Sequence, residues 1–320
     1  MKVIVTGGAG FIGANLCRRL AASPEVDAVV ALDDLSTGFE SNLAGVDAEL
    51  VVGSILDADR LQTVLSEGDA VVHLAARPSV PRSLQDPVAT HEANSTGTLR
   101  VLEAARTRGA HVVVASSSSV YGGNPVLPKS EDLASRPLSP YAVSKLATEA
   151  YAGAYAASFG LPTLAFRFFN VYGPLQAAGH AYAAVVPAFV DAALRGEPLV
   201  VHGDGTQSRD FTFVGTVTEV LTDAVLRRVT SPDPVNLAFG TRTSLVDLIS
   251  LLEEQLGHAV KVEHVGPRKG DVPHSQASEA SLRAHFPEVA PVPLAVGLAE
   301  TIGWFRTLDP ATSRPGRHEA

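Results

Sequence analysis

Between residues 2 and 13 the chain reads Lys-Val-Ile-Val-Thr-Gly-Gly-Ala-Gly-Phe-Ile-Gly, a short apolar run closing directly on Gly7, Gly10 and Gly13. Val3 to Val5 is too short for a helix and suits a buried strand. The stretch that follows, Phe11 to Leu20, is amphipathic at helical spacing. Strand, tight turn and helix in that order leave few folds open. Gly7 permits the turn, Gly10 lets backbone approach a bound pyrophosphate, and Gly13 lets helix and strand pack closely. The pyrophosphate then meets the free N–H groups and positive end of the helix. A lone glycine triplet also occurs as a structural turn, so its surroundings decide. A second strand, Ala28 to Leu32, ends in Asp33, 20 residues beyond Gly13. There a carboxylate accepts both ribose hydroxyls of an adenosine and repels a 2′-phosphate, which selects NAD over NADP.

At 320 residues the chain is long enough for one large or two modest domains. Hydrophobic residues make up 46% and charged residues 18%, the profile of a soluble globular enzyme. A formal net charge of −9 opposes a nucleic-acid surface, though not a local basic pocket for an anionic small molecule. The single cysteine, Cys17, excludes an internal disulfide; burial in the first helix as a small hydrophobe suits a reducing cytoplasm. No apolar run reaches the roughly 18 residues of a membrane span, and no basic region precedes the first strand. The expectation is a cytoplasmic protein without membrane or nucleic-acid partners. The ten histidines lack metal-site spacing, so no metal is expected.

Short apolar runs alternate with helical stretches through the first half. Strands are expected at Ala48 to Val52, Asp69 to Ala75, His111 to Ser116 and Pro162 to Phe168, with helices near Asp57 to Ser66, Asp86 to Arg108 and Tyr141 to Ser158. Such alternation builds right-handed βαβ units, hence an α/β fold with a doubly wound, Rossmann-type parallel sheet. Ligands then bind beyond the carboxyl ends of the strands, where Gly7, Asp33, Ala75 and Ser117 fall. From about Gly173 the pattern becomes rich in Pro and Gly, with short strands at Leu199 to His202, Val235 to Ala238 and Lys261 to His264. We therefore divide the chain into a dinucleotide-binding domain (1–172), a smaller mixed α/β substrate lobe (173–308) whose segments cross back into the first domain, and a polar tail (309–320).

Tyr141-Ala-Val-Ser-Lys145 opens a helix behind Ser139-Pro140. Spacing of i and i+4 puts the phenol and ammonium on one face, about 5–6 Å apart at Cβ. A tyrosine beside a lysine and a positive nicotinamide ring has a lowered pKa and acts as a base near neutrality. By itself Tyr-x-x-x-Lys is common as a surface pair; the nucleotide-binding start and the Ser116-Ser117-Ser118-Ser119 run at a strand end make it specific. A serine there hydrogen-bonds a substrate oxygen as it becomes a ketone. The competing reading, a polar loop with hydroxyls satisfied by backbone, applies to at least two of the four.

Together with His73-Leu-Ala-Ala76, Asn94-Ser-Thr-Gly-Thr98, Ser-Ser-x-x-Val-Tyr121-Gly, Arg167-Phe-Phe-Asn170-Val-Tyr-Gly-Pro174, Gly203-Asp-Gly-x-Gln-x-Arg209-Asp-Phe211 and Arg268-Lys-Gly-Asp271, these motifs resemble the extended short-chain dehydrogenase/reductases of the NAD-dependent nucleotide-sugar epimerase/dehydratase family over nearly the whole chain. The resemblance implies C4 oxidation of a nucleotide sugar: Tyr141 takes the hydroxyl proton, Ser117 supports the 4-keto oxygen, and Lys145 holds the nicotinamide ribose and lowers the tyrosine pKa. Phe11, Ile12, Ser54, Ile55, Leu74, Ala75, Ala76 and Asn94 join Gly7, Gly10, Gly13 and Asp33 at the cofactor. Asn170, Arg209 and Arg268 grip the substrate diphosphate, Asp271 its ribose, and Ser79, Ser118, Val186 and Ser275 complete the substrate site. Arginine forks match phosphate oxygens; surface ion pairs are the plainer reading of Arg209 and Arg268.

Departures from the family pattern sort the chemistry. The Asp-Glu pair of 4,6-dehydratases is replaced by Ser118 and Ser119, the glutamate of uronate decarboxylases by Ser119. Asn170 and Leu175 replace the residues of uronate epimerases. The expectation is 4-epimerisation of a UDP-hexose or UDP-N-acetylhexosamine, the acetylated sugar admitted because Ser275 stands where glucose/galactose-restricted epimerases carry tyrosine. Gly53-Ser54 replaces the usual Gly-Asp at adenine, and Val214-Gly-Thr-Val217 the usual Val-Asp-Asp-Val. These mark an alternative, a hexosamine 5,6-dehydratase whose C5 base is Tyr121 or comes from the C-terminal lobe. A non-catalytic NAD-binding sensor is the second alternative. Small residues on two helices (Ala104, Ala105; Ala147, Ala150, Ala154) match the homodimer bundle of the family, or else pack inside the monomer.

Overall fold

The computed structural model describes residues 1–178, 183–266 and 273–308. The polar tail, Arg268 and Asp271 lie outside the described residues. Six strands arise from the first half: β1 (Lys2–Thr6), β2 (Ala28–Asp33), β3 (Glu49–Val52), β4 (Ala70–His73), β5 (His111–Ser117) and β6 (Thr163–Phe168). With a seventh strand, Val235–Leu237, they form one parallel sheet in the order Val235–Leu237, β6, β5, β4, β1, β2, β3. The order reverses beside β1, and a crevice opens there beyond the carboxyl ends of the strands.

Strand side chains alternate between two faces, and both are buried, which explains the nearly continuous apolar runs. Val3 and Val5 on one face join Leu16, Cys17 and Leu20 of helix α1 (Phe11–Ala21) and Val217, Leu221 and Ala224 of the helix Val214–Leu226. Ile4, Val30, Val71 and Val112 on the other face pack with Val101 and Leu102 of the helix Gly97–Arg108 and Ala152 of the helix Pro140–Phe159. Each such buried aliphatic side chain contributes about 1.5–3 kcal/mol. The second half of the chain thus supplies both an edge strand and a covering helix to the first. Cys17 is fully buried and its thiol is pushed up to about 12.

The helix expected across 86–108 runs from Pro87 to Arg108 and carries a π-helical turn, Glu92–Thr96, between the α-helical parts Pro87–His91 and Gly97–Arg108. A further short helix, Val80–Gln85, precedes it. The helix Pro140–Phe159 starts as its sequence indicates, with Ser139 Oγ accepting the Ala142 N–H at 3.2 Å and Pro140 in the first turn. The remaining strands form two-stranded pairs, Leu199–His202 with Val262–Val265, Ser208–Arg209 with Thr243–Ser244, and Val171–Tyr172 with Thr212–Phe213. They pack around a separate core that includes Tyr172, Phe189, Val201, Phe213, Leu248 and Phe305. Among the described residues no helix is long and apolar enough to cross a membrane.

Candidate active site

The turn after β1 is built as the glycine spacing requires. Gly7 adopts φ +70°, its N–H donates to the Leu32 carbonyl at 2.8 Å, and Gly10 N–H closes the turn on the Gly7 carbonyl at 3.1 Å. A Cβ on Gly13 would stand 2.0 Å from that same carbonyl oxygen, so only glycine lets α1 begin here. Gly10 caps α1 without any side chain, which leaves the first N–H groups of the helix for a ligand phosphate. Asp33, 7% exposed, accepts the Ala9 N–H at 2.9 Å and the Leu35 N–H at 2.9 Å. Burial raises its pKa, opposed by these hydrogen bonds. Here begins a cleft of about 550 Å³, also lined by Phe11, Ile12, Ser54, Ile55, Leu74, Ala75 and Ala76. A bare helix end beside a carboxylate at the close of β2 fits the diphosphate and adenosine ribose of NAD.

Ser117, Tyr141 and Lys145 line the other end of the same cleft. Lys145 is 5% exposed and donates through Nζ to the Ala115 carbonyl at 2.8 Å; burial brings its ammonium down to about 8. The lowering expected of Tyr141 belongs to the site with a nicotinamide ring bound; the protein alone supplies the opposite background. The Tyr141 pKa is raised by burial, and a hydrogen bond with Ser117 only partly offsets this. Within the protein the Lys145 ammonium is spent on a carbonyl, so desolvation of the phenolate dominates. Next to this group lies a buried chain, Thr6 Oγ1 to His73 Nδ1 at 2.7 Å and His73 Nε2 to Thr98 Oγ1 at 3.0 Å. Burial first, then the nearby Lys145 charge, hold the His73 pKa down to about 3.

A second cleft, of about 750 Å³, lies between the sheet and the C-terminal lobe and shares Tyr141 and Val171 with the first. The phenol therefore stands where the two chambers meet. Ser79, Asn170, Val186 and Arg209 line the second chamber. Ser79 holds an unusual φ of +99° and caps the helix Val80–Gln85 by accepting the Arg82 N–H at 3.4 Å. Asn170, at φ +28°, donates to the Asp210 carbonyl at 3.2 Å. Arg209 reaches the carbonyls of Ser208 at 2.9 Å and Pro273 at 3.4 Å. His202 is the one imidazole among the described lining residues, and none of them is Asp or Glu.

Four expected residues are placed elsewhere. Asn94 is 1% exposed and lines neither cleft: its amide binds the Arg77 N–H at 2.7 Å, the Arg77 carbonyl at 3.2 Å and Ser144 Oγ at 2.9 Å, so it shapes the loop after β4 from behind. Ser118 starts a 3-10 turn and Ser275 N–H pairs with the Ser208 carbonyl at 3.0 Å; neither side chain lines a cleft. Tyr121, the named C5 base, is 1% exposed, donates to Asn236 Oδ1 at 2.7 Å and has a pKa raised by burial. Arg77 lines the cofactor cleft without having been singled out, because no local pattern marks a loop arginine.

A parallel sheet with a glycine turn, an acidic residue closing β2 and a Ser-Tyr-Lys group in one cleft defines a dinucleotide-dependent enzyme of the short-chain dehydrogenase/reductase type. Residues 3–238 match the NAD dependent epimerase/dehydratase family. The chain is 38% identical to a UDP-glucose 4-epimerase of Mycolicibacterium smegmatis, over 96% of this chain and 99% of that one. It superposes with a TM-score of 0.90 and 34% identity on a UDP-N-acetylglucosamine 4-epimerase from Methanobrevibacter ruminantium M1 in complex with UDP-N-acetylmuramic acid, covering 95% of this chain and 98% of that one. TunA, an NAD-dependent NDP-hexosamine 5,6-dehydratase of tunicamycin biosynthesis, superposes with a TM-score of 0.85 and 32% identity over 97% and 99% of the two chains. The chain belongs to the NAD-dependent epimerase/dehydratase family.

Proposed function

We propose that the protein interconverts the C4 epimers of a UDP-hexose or UDP-N-acetylhexosamine. The observation that carries this reading is the absence of any carboxylate among the described residues lining the sugar chamber, next to a complete Ser117, Tyr141 and Lys145 group. Oxidation at C4 needs a base for the hydroxyl proton and a donor for the emerging ketone; elimination needs a further base for the C5 proton. NAD held at the Gly7, Gly10 and Gly13 turn and by Asp33 would supply the two-electron acceptor for C4 and the hydride for its return. Tyr141, at the junction of the chambers, takes the C4 hydroxyl proton and later gives it back. Ser117 hydrogen-bonds the ketone oxygen. Lys145 adds a positive charge that favours the phenolate in the oxidising step. Asn170 and Arg209, which line the second chamber, face the substrate diphosphate. A chamber lined without carboxylates among the described residues would let the 4-keto sugar turn, so that hydride would reach its opposite face.

Elimination in the manner of TunA is the second reading. Tyr121 is occupied by Asn236, so the C5 base would come from the C-terminal lobe, where His202 lines the chamber with its Nδ1 3.2 Å from the Gly266 carbonyl. Proton NMR of UDP-N-acetylglucosamine and UDP-glucose incubated with the protein in D₂O separates the two. A new axial-hydroxyl C4 signal set without deuterium at C4 or C5 is expected. Olefinic signals with loss of water would replace epimerisation by elimination.

The protein works in the cytoplasm as a homodimer. Val143 and Tyr151 are exposed along the helix Pro140–Phe159, on the same face as exposed Ala150 and Ala154, and form an apolar strip for a second copy. Ala104 and Ala105 are instead buried in the monomer core. Light scattering at micromolar concentration, compared with Val143→Glu, tests the dimer.

A further inference from the structure

The reaction above leaves unused one serine at the end of β5. Ser116 is 2% exposed. Its Oγ lies 2.7 Å from Glu149 Oε2 and 3.2 Å from the Lys145 carbonyl. A hydroxyl has one hydrogen, and the shorter, charge-assisted contact to the carboxylate is the stronger branch. Glu149 is held in turn by Arg167 of β6, whose Nη2 and Nε approach the two carboxylate oxygens at 2.7 and 3.0 Å. On either side of Ser116, the Ala115 carbonyl accepts the Lys145 ammonium and Ser117 hydrogen-bonds Tyr141. Three consecutive residues of β5 thus grip the catalytic helix, and the middle grip leads into a buried ion pair. Such a pair adds little net stability over apolar packing, whereas a displacement of about 1 Å near reacting atoms lowers rates about 10²-fold.

We propose that Ser116 is a positioning residue which, by tying β5 to Glu149, sets the separation of Ser117 and Tyr141 and neutralises part of the Glu149 charge beside Lys145. The proposal rests on the C4-oxidation reading. The charged and titratable groups around it are Tyr141, Lys145 and Glu149 on the helix, Arg167 on β6, His73 on β4, Tyr121, whose ring centre lies 4.7 Å from the Arg167 guanidinium carbon, and Glu131, whose carbonyl accepts from Arg167 Nη1 at 3.4 Å.

Ser116→Ala removes the tie and leaves the Glu149–Arg167 pair in place. The expected result is a kcat lowered at least about tenfold, as for a sub-ångström misplacement, with KM within about twofold of the starting enzyme. The acid limb of the kcat profile moves to higher pH, because a less neutralised Glu149 disfavours the phenolate. Ser116→Thr, which keeps the hydroxyl, recovers most of the rate. An unchanged kcat and pH profile in Ser116→Ala overturns the proposal, as does a loss that Ser116→Thr fails to relieve. A wild-type protein that converts no nucleotide sugar removes the C4-oxidation reading instead. Ultraviolet titration of the Tyr141 phenol, taken as the difference from Tyr141→Phe, then decides: an upward shift in Ser116→Ala supports the tie and an unshifted titration overturns it.

Discussion

Arg167 and Glu149 meet as a two-pronged ion pair, 2.7 Å between Nη2 and Oε1, with side chains only 5% and 6% exposed. It ties β6 directly to the helix that carries Tyr141 and Lys145, beside β5. Removing one partner strands the other charge in an apolar setting. Arg167→Met or Glu149→Gln is expected to lower unfolding free energy by about 3–5 kcal/mol. Urea denaturation at pH 7 measures this, and the double variant should regain part of the loss.

Tyr141 is the shared wall of both chambers and hydrogen-bonds Ser117. Tyr141→Phe should lower kcat by about 10²- to 10⁴-fold, with NAD still bound. Turnover near the wild-type rate would remove the phenol from its role.

The Asp33 carboxylate accepts backbone N–H groups from both sides of the cofactor turn. Asp33→Asn removes the charge that repels a 2′-phosphate. The ratio of NADP to NAD dissociation constants is expected to fall at least about tenfold, as one charge-assisted contact is worth some 1.5–3 kcal/mol. Calorimetric titration of cofactor-depleted protein reads the ratio directly.

His73 makes stability depend on acid. Its folded pKa of about 3 lies below the usual 6.5, so the unfolded chain gains a proton that the folded chain refuses. This contribution is fully favourable above pH 6.5 and is lost as pH falls toward 3, at up to about 1.4 kcal/mol per pH unit. Urea midpoints between pH 7 and 5 should fall less steeply for His73→Asn than for the parent protein. Parallel slopes would contradict the neutral histidine.

The Gly13→Ala substitution addresses the cofactor turn itself. With its Cβ 2.0 Å from the Gly7 carbonyl oxygen, the start of α1 must shift. Loss of NAD binding is expected even where circular dichroism reports a folded chain, and retained affinity would deny α1 its part in the phosphate site.

Much of this protein was legible in order along the chain. The glycine turn, Asp33, the Ser139-Pro140 helix start and the Tyr141/Lys145 spacing are local: each depends on φ, on helical periodicity or on strand alternation within a few residues, and the sheet follows from their succession. Tertiary structure decided what those groups feel and which of their neighbours face a ligand. Tyr121 looked free in the sequence, yet its hydroxyl is taken by Asn236, 115 residues away. Asn94 is drawn off by Arg77 and Ser144, and Ser275 is bound along the Ser208 backbone, contacts no motif records. The surroundings of Tyr141 are likewise tertiary: spacing alone brings an ammonium near the phenol, but chain segments folded together from afar bury it, which raises its pKa in the protein alone, and the Ala115 carbonyl takes the Lys145 ammonium.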